Sequence, residues 1–378
     1  MDFLLTDEQR MISDLAREFA RKEIVPAAAA HDREARFPRE IIEKARQAGL
    51  VNINIPAEYG GSGLGCLELV LVAEQLGWGC TGIATSMCLD FLVIEALLFG
   101  GTEAQKREYL GRLAGGKFGA FALTEPGAGS DVAAIRMRAK KRGDRYVLDG
   151  TKVWITNASV ADFLVVFAKT DPDAGHRGLT LFLVDRNAPG VEVGKPLPKM
   201  GQKASPSCEV FLSGVELPET ARIGKEGEGF ALAMRIFDRS RPFVAAMATG
   251  LMQRCLDESL AYAKERHSMG VPIVEHQAVG HKIAEMAIFT EAARLLTRRA
   301  AWRTDRGERC TKEVSEAKAF AADSAMRVAT DAVQVFGGMG YSGEYPVEKL
   351  MRDAKLLQIY EGTSEIQRNV IVRELVKG

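Results

Sequence analysis

The chain has 378 residues, 47% of them hydrophobic, and its fifty Lys and Arg are balanced by fifty Asp and Glu. That length predicts two or three domains with full apolar cores, and the lack of a basic surplus excludes electrostatic capture of nucleic acid or an anionic membrane. The six cysteines (66, 80, 88, 208, 255 and 310) include no CxxC pair, and His276 and His281 miss the i, i+4 spacing of a zinc helix, so neither a metal site nor a disulfide scaffold is expected. The thiols read as buried in a reducing compartment. The N-terminal MDFLLTDEQR lacks a basic segment followed by an apolar core, and no later apolar run reads as a membrane span, so a cytoplasmic protein is expected.

Thr6 and Gln9 have capping-box spacing, and Met11, Ile12, Leu15 and Phe19 then repeat at helical intervals, so a first helix is expected to run until Pro26 ends it. Pro38 suits the first position of a second helix that stops at Gly49. A Gly-rich turn at 59–65 leads into a third helix over 67–76, and helical pattern continues through 91–99 and 103–113. Residues 1–117 therefore read as an N-terminal all-helical domain.

The character changes at 118. Short runs rich in β-branched and aromatic residues, at 118–123, 145–148, 153–155, 163–168, 179–184 and 209–212, predict a middle β-domain, 118–228. Asp149-Gly150 between two of these runs predicts a hairpin turn. From Gly229 the helical period returns at 229–266, 273–304, 312–336 and 346–358, with a last helix from 364. Helices of this length pack as an antiparallel bundle, 229–378, which makes the fold α+β and mostly helical.

Several stretches could carry chemistry. TEPGAGSD at 124–131 follows a predicted strand, and its glycines would let a flat or phosphorylated ligand approach the main chain beside the Thr124 and Ser130 hydroxyls; a tight turn cluster is the plain alternative. Trp154-Ile155-Thr156 pairs an indole with a hydroxyl, suited either to an aromatic cofactor ring or to a core. GMGYSG at 338–343 matches GxGxxG, but the preceding pattern is helical, so a dinucleotide-binding βαβ unit is rejected. Asp238-Arg239-Ser240-Arg241 interrupts an apolar helix face; Arg241 could grip a phosphate, although a solvated face is the usual reason for such a run. In IYEGTSEIQR, Ser364 to Gln367 has capping-box spacing, which leaves Glu361 in a turn beside Gly362, free to point into a cleft as a candidate catalytic base.

Taken in order, TEPGAGSDV, KVWITNA, FDRSRP, RHSMG, EHQA, QVFGGMGY, EYPVEKLMRDAK and IYEGTSEIQR resemble the acyl-CoA dehydrogenases, closest to the short- and medium-chain members, over nearly the whole chain. The resemblance implies a middle domain of β-barrel type, a C-terminal four-helix bundle, and FAD held between them. It implies α,β-dehydrogenation of an acyl-CoA thioester, with Glu361 as the base and electrons passed to electron-transferring flavoprotein. The flavin contacts it implies are Phe121, Leu123, Thr124, Gly129, Ser130, Trp154, Ile155, Thr156, Thr363, Ser364 and Glu365. Ser268 and His276 are further implied FAD contacts, and Arg266, Gln277 and the 334–338 run, with Gln334, Val335, Gly337 and Gly338, are implied to reach FAD across a subunit interface, so a homo-oligomer, commonly a tetramer, follows. Ser130, Asp238, Arg241 and Gly362 are implied to meet the acyl-CoA. Hydrogen bonds from the Glu361 N–H and a ribityl hydroxyl to the thioester carbonyl would stabilise the enolate.

Two positions depart from the family pattern. Met269 stands where phenylalanine is frequent near the flavin. Asp90, in a stretch resembling the helix that lines the acyl pocket, stands where a neutral residue is usual. If it faces the pocket it implies an alicyclic substrate such as a cyclohexane-type thioester; the plain alternative is a capping or partly exposed aspartate. An acyl-CoA oxidase is a further reading, set back by the lack of a large C-terminal extension. A flavoprotein that binds CoA or nucleic acid without turnover is set back by the neutral charge and by the intact Glu361.

Overall fold

The computed structural model describes residues 4–377, so the first three residues of the N-terminal stretch lie outside it. Thr6 caps α1 (Asp7–Phe19): its hydroxyl accepts the Gln9 N–H at 3.2 Å and its own N–H donates to the Gln9 side chain at 3.1 Å. The helical path does not stop at Pro26, as expected above. A π-helical turn, Ala20–Ile24, runs into α2 (Val25–Arg33), where Pro26 occupies the first turn. Pro38 precedes α3 (Arg39–Gln47) and is not its first residue.

Next come α4 (Cys66–Gly79), α5 (Thr81–Cys88) and α6 (Asp90–Gly100). By length and composition alone Thr81–Gly100 could cross a membrane. Here it is core instead, mostly buried and broken at Leu89. The short helices α7 (Glu103–Gln105) and α8 (Gly111–Ala114) close this region.

Eight strands follow: β1 (Gly119–Ala122), β2 (Arg138–Arg142), β3 (Arg145–Thr156), β4 (Phe163–Lys169), β5 (Leu179–Asp185), β6 (Val191–Val193), β7 (Ser207–Pro218) and β8 (Arg222–Ile223). They form one sheet in the order β6-β7-β3-β2-β4-β5-β8, with β1 parallel to β4. β4 and β5 are buried along almost their whole length, which is why they read as unbroken apolar runs.

Asp149-Gly150 is not a hairpin turn. Both residues lie inside β3, at a register shift against β7 where Gly150 has φ +150° and the Asp149 carboxylate accepts the Gly214 N–H at 2.7 Å. The pair makes a bulge. The hairpin lies one turn earlier, at Gly143-Asp144 between the paired Arg142 and Arg145, with Gly143 at φ +63°.

The C-terminal part comprises α9 (Gly229–Glu265), a small hairpin of β9 (His267–Ser268) and β10 (Val271–Pro272), α10 (Gln277–Asp305), α11 (Thr311–Phe336), α12 (Pro346–Leu357) and α13 (Ser364–Lys377). α9, α10 and α11 pack on one another and α13 packs on α11, giving the bundle. α4 lies so close against α9 that a Cβ on Gly250 would stand 1.9 Å from the Glu74 carbonyl oxygen. One core therefore joins the N-terminal helices to the bundle, and a second fills the sheet together with α6.

Candidate active site

Glu361 sits between α12 and α13 in a left-handed turn, φ +56°, followed by Gly362 at φ +86°. Glycine is favoured at 362 because any side chain would be strained at that positive φ. The Gln367 side-chain nitrogen donates to both carbonyls of the turn, Glu361 O at 3.2 Å and Gly362 O at 3.0 Å. Asp323 of α11 ties down the flanks by accepting from Gln358 and from the Ser364 hydroxyl, each at 2.8 Å. The cap of α13 is Thr363, whose hydroxyl accepts the Ile366 N–H at 3.2 Å, so the capping box read from Ser364 is displaced by one residue. A strained backbone fixed from several directions is what a positioned functional side chain requires.

The Glu361 carboxylate accepts from the Ser240 hydroxyl at 2.8 Å. Burial pushes its pKa above the usual carboxylate range, and the Ser240 hydrogen bond and the charges of Arg241 and Lys318 pull the other way. No cation lies within ion-pair distance of it among the described residues. The N–H of Glu361 likewise has no hydrogen-bond acceptor among them. The site thus offers a desolvated carboxylate and a free backbone donor on one residue.

Asp238, Ser240 and Arg241 reach this place from α9. The run is not a solvated face: Ser240 and Arg241 are 2% and 4% exposed, and Arg239 pairs with the buried Glu95 at 3.3 Å. Arg241 pairs with Asp238 at 3.0 Å, and Asp238 also accepts from Thr311 at 2.7 Å. The Arg241 Nε is buried with no partner among the described residues, a donor held ready for an anionic or carbonyl group.

The 124–131 loop leaves β1 beside the second bulge of β3. The Val153 N–H donates to Thr124 O at 2.9 Å, and the β3–β7 register shifts between Lys152 and Ile155. There Trp154 adopts φ +61° and keeps its side chain 54% exposed. An indole held out in a left-handed conformation, next to a loop whose Gly127 and Gly129 face open space, is a platform suited to a planar ring. Ser130 and Gly129 are exposed and Thr124 and Thr156 half-buried. Phe121, Leu123 and Ile155 are buried in the sheet core.

Arg266, Ser268 and Gln277 are exposed around the β9–β10 hairpin, whose tip is Met269, φ +54° and 94% exposed; the His276 ring meets the Ser268 carbonyl at 3.3 Å. Gln334, Gly337 and Gly338 are exposed where α11 unwinds into a 3₁₀ turn, while the Val335 side chain is buried. A helix, and no strand, precedes these glycines.

Asp90 is not brought to Glu361. It opens α6 and accepts the Gly119 N–H at 2.8 Å and the Asn52 amide at 3.4 Å, at the wall of a separate cleft of about 200 Å³ lined by Arg39, Arg46, Asn52 and Lys117. It is 3% exposed, and burial pushes its pKa up to about 7. It caps no helix and is not partly exposed: its carboxylate is held between the Gly119 N–H, the first amide of β1, and the Asn52 amide.

Two site residues escaped sequence reasoning, Ser240 as the partner of Glu361 and Lys318 beneath it. A lysine on the apolar side of α11, among Val314, Ala317, Ala321 and Ala322, was the available signal. Among the described residues no cluster of three or more His, Cys, Asp or Glu could hold a metal ion.

The comparisons with known proteins agree with this layout. Residues 6–117, 120–215 and 227–376 match the N-terminal, middle and C-terminal domains of acyl-CoA dehydrogenase. The chain is 42% identical to an acyl-CoA dehydrogenase of Bacillus subtilis, covering 99% of both, and 42% identical to a 3-(aryl)acrylate reductase of Clostridium sporogenes, covering 98% of this chain and 99% of that one. It superposes on the butyryl-CoA dehydrogenase of Megasphaera elsdenii with a TM-score of 0.97 at 39% identity, over the full length of both. With all three domains matched in order around one desolvated glutamate, the chain belongs to the acyl-CoA dehydrogenase family of oxidoreductases.

Proposed function

We propose that the protein dehydrogenates an acyl-CoA thioester between its α and β carbons, with Glu361 as the base that takes the α-proton. The observation that carries this reading is the Glu361 carboxylate itself: desolvated, unpaired by any cation, and aimed by the Ser240 hydroxyl. An α-proton beside a thioester is too weakly acidic for a carboxylate in water, so the forming enolate needs donors fixed in advance. The free N–H of Glu361 is one such donor, and the left-handed turn sets it beside the base. Arg241, with its unpartnered Nε, suits the anionic part of the coenzyme.

FAD is the cofactor, and the residues present fit it. Thr124, Ser130 and the open glycines of the 124–131 loop, with Trp154 and Thr156, would hold the ring system on the β-domain, and Thr363 and Glu365 would complete the site beside the base. When bound, FAD supplies the two-electron acceptor. Arg266, Gln277, Gln334, Gly337 and Gly338 stand exposed as contacts for a second copy's cofactor, so a homo-oligomer, tetrameric in the family pattern, is the assembly proposed. Electron-transferring flavoprotein is the proposed oxidant of the reduced enzyme.

The relative named as a 3-(aryl)acrylate reductase supports the opposite direction as a second reading. The same residues serve it, with protonated Glu361 giving its proton to the α carbon. A panel of saturated acyl-CoA thioesters, mixed anaerobically with the yellow protein, tests the main reading. At least one is expected to bleach the flavin within seconds; bleaching by none, with enoyl thioesters reoxidising the reduced protein, would favour the reductase.

A further inference from the structure

Lys318 has no solvent exposure, and the helix positions around it carry Val314, Ala317, Ala321 and Ala322, all buried. An ammonium taken out of water costs several kcal/mol unless its surroundings answer it. Among the described residues Lys318 makes one hydrogen bond, to the Gly362 carbonyl at 2.7 Å, the peptide that follows the base.

We propose that Lys318 is a positioning residue for Glu361: it fastens the strained 361–362 turn from below and keeps a positive charge under the carboxylate, so that the base stays ionised when a bound thioester excludes water. The proposal rests on the reading of Glu361 as the base.

The charges around the site assign this task to Lys318 and not to its neighbours. Facing Glu361 are Ser240 and Arg241 from α9 and Lys318 from α11. Arg241 is committed to Asp238 at 3.0 Å, which offsets much of its field. Around Lys318 stand Glu361, Asp323 and Glu365, with Arg241 opposing. Asp323 is engaged by Gln358, Ser364 and Arg368, and Glu365 is exposed. Among the described groups around this site, Glu361 is thus a carboxylate with no ion pair, and Lys318 a buried cation with none. Burial lowers the Lys318 pKa to about 8, with Glu361 the first influence opposing it. Gln367 also holds the Gly362 carbonyl at 3.0 Å, so a neutral substitution at 318 removes the charge while one tether remains.

The test measures kcat and KM against pH for Lys318→Met, Lys318→Gln and Lys318→Arg in the flavin-loaded enzyme, with Glu361→Gln alongside. The acidic limb of kcat reports the base in the substrate complex. Both neutral variants are expected to move that limb up by about one pH unit and to lose about tenfold in kcat below it, one unit being a tenfold change in ionised fraction. KM should stay within about twofold, and the arginine variant should restore the limb. An unmoved limb in the neutral variants, an arginine variant as impaired as the methionine one, or neutral variants that fail to fold with flavin bound would overturn the proposal. An active Glu361→Gln would instead overturn the reading of Glu361 as the base. An inactive one with an unmoved limb in Lys318→Met would sink only the role given to Lys318.

Discussion

Lys152 and Glu125 form an ion pair of 2.8 Å beneath the 124–131 loop, the lysine fully buried and the glutamate 7% exposed. The lysine also donates to the Leu123 carbonyl at 2.9 Å, and the glutamate accepts the N–H groups of Arg136 and Met137 at 2.6 and 3.0 Å. The two residues tie together both ends of the loop and the β3 bulge that carries Trp154.

Removing one partner of such a pair leaves an uncompensated buried charge, which costs about 3–5 kcal/mol. Lys152→Met is expected to lower thermal stability by that order and to release flavin more readily than wild type on gel filtration. Unchanged stability and unchanged flavin retention would show that the pair does not hold the loop.

Asp90 gives a pH signature. Its pKa rises from 3.8 unfolded to about 7 folded, so between those values the folded state binds more protons than the unfolded one and stability falls as pH rises. At about 1.4 kcal/mol per unit the loss is on the order of 4 kcal/mol. Asn keeps an acceptor for the Gly119 N–H and does not titrate. Asp90→Asn should therefore gain on wild type from pH 5 to pH 8 in chemical denaturation, with an unchanged ratio of straight-chain to cyclohexane-type turnover. A pH-independent difference would remove the burial argument, and a changed ratio would return Asp90 to the acyl pocket.

Gly250 is where the bundle meets the N-terminal helices. A methyl group there would overlap the Glu74 carbonyl oxygen and approach the Trp78 nitrogen to 2.6 Å, and the neighbouring Gly77 is held off Met247 in the same way. Neither side is a flexible side-chain tip, so α4 and α9 must separate. Gly250→Ala should cost about 3 kcal/mol or more, read as a fall in the unfolding midpoint. A loss under about 1 kcal/mol would mean that the helices slide past one another without strain.

Much of this was legible because the signals are local. Helical periodicity found α9 and α11 to within a residue and α10 apart from its start, four residues later than expected because the β9–β10 hairpin and a 3₁₀ turn run up to it. The continuous apolar runs of β4 and β5 found the sheet. Other features depend on contacts that adjacent sequence does not carry. β2 has the sequence RAKKR, with only Ala139 facing the core at full burial, so nothing in it alternates. Asp149-Gly150 carries turn chemistry but is used as a bulge because β7 continues alongside. Pro26 stops a helix in most settings and starts one here, because a π-helical turn delivers it at a first-turn position. At the site, the turn around Glu361 could be read from Gly362 and the capping spacing. Ser240 and Lys318 could not, being 121 and 43 positions away and joined to it only by the fold.

The central claim is that Glu361 removes the α-proton, and the rate of anaerobic flavin bleaching by the best thioester of the panel tests it directly. Glu361→Gln keeps the size and the Ser240 contact but cannot accept the proton. It should bind flavin and thioester like wild type and bleach at least about a thousandfold more slowly, in the upper part of the range for loss of a general base. Bleaching within about tenfold of the wild-type rate would contradict the account.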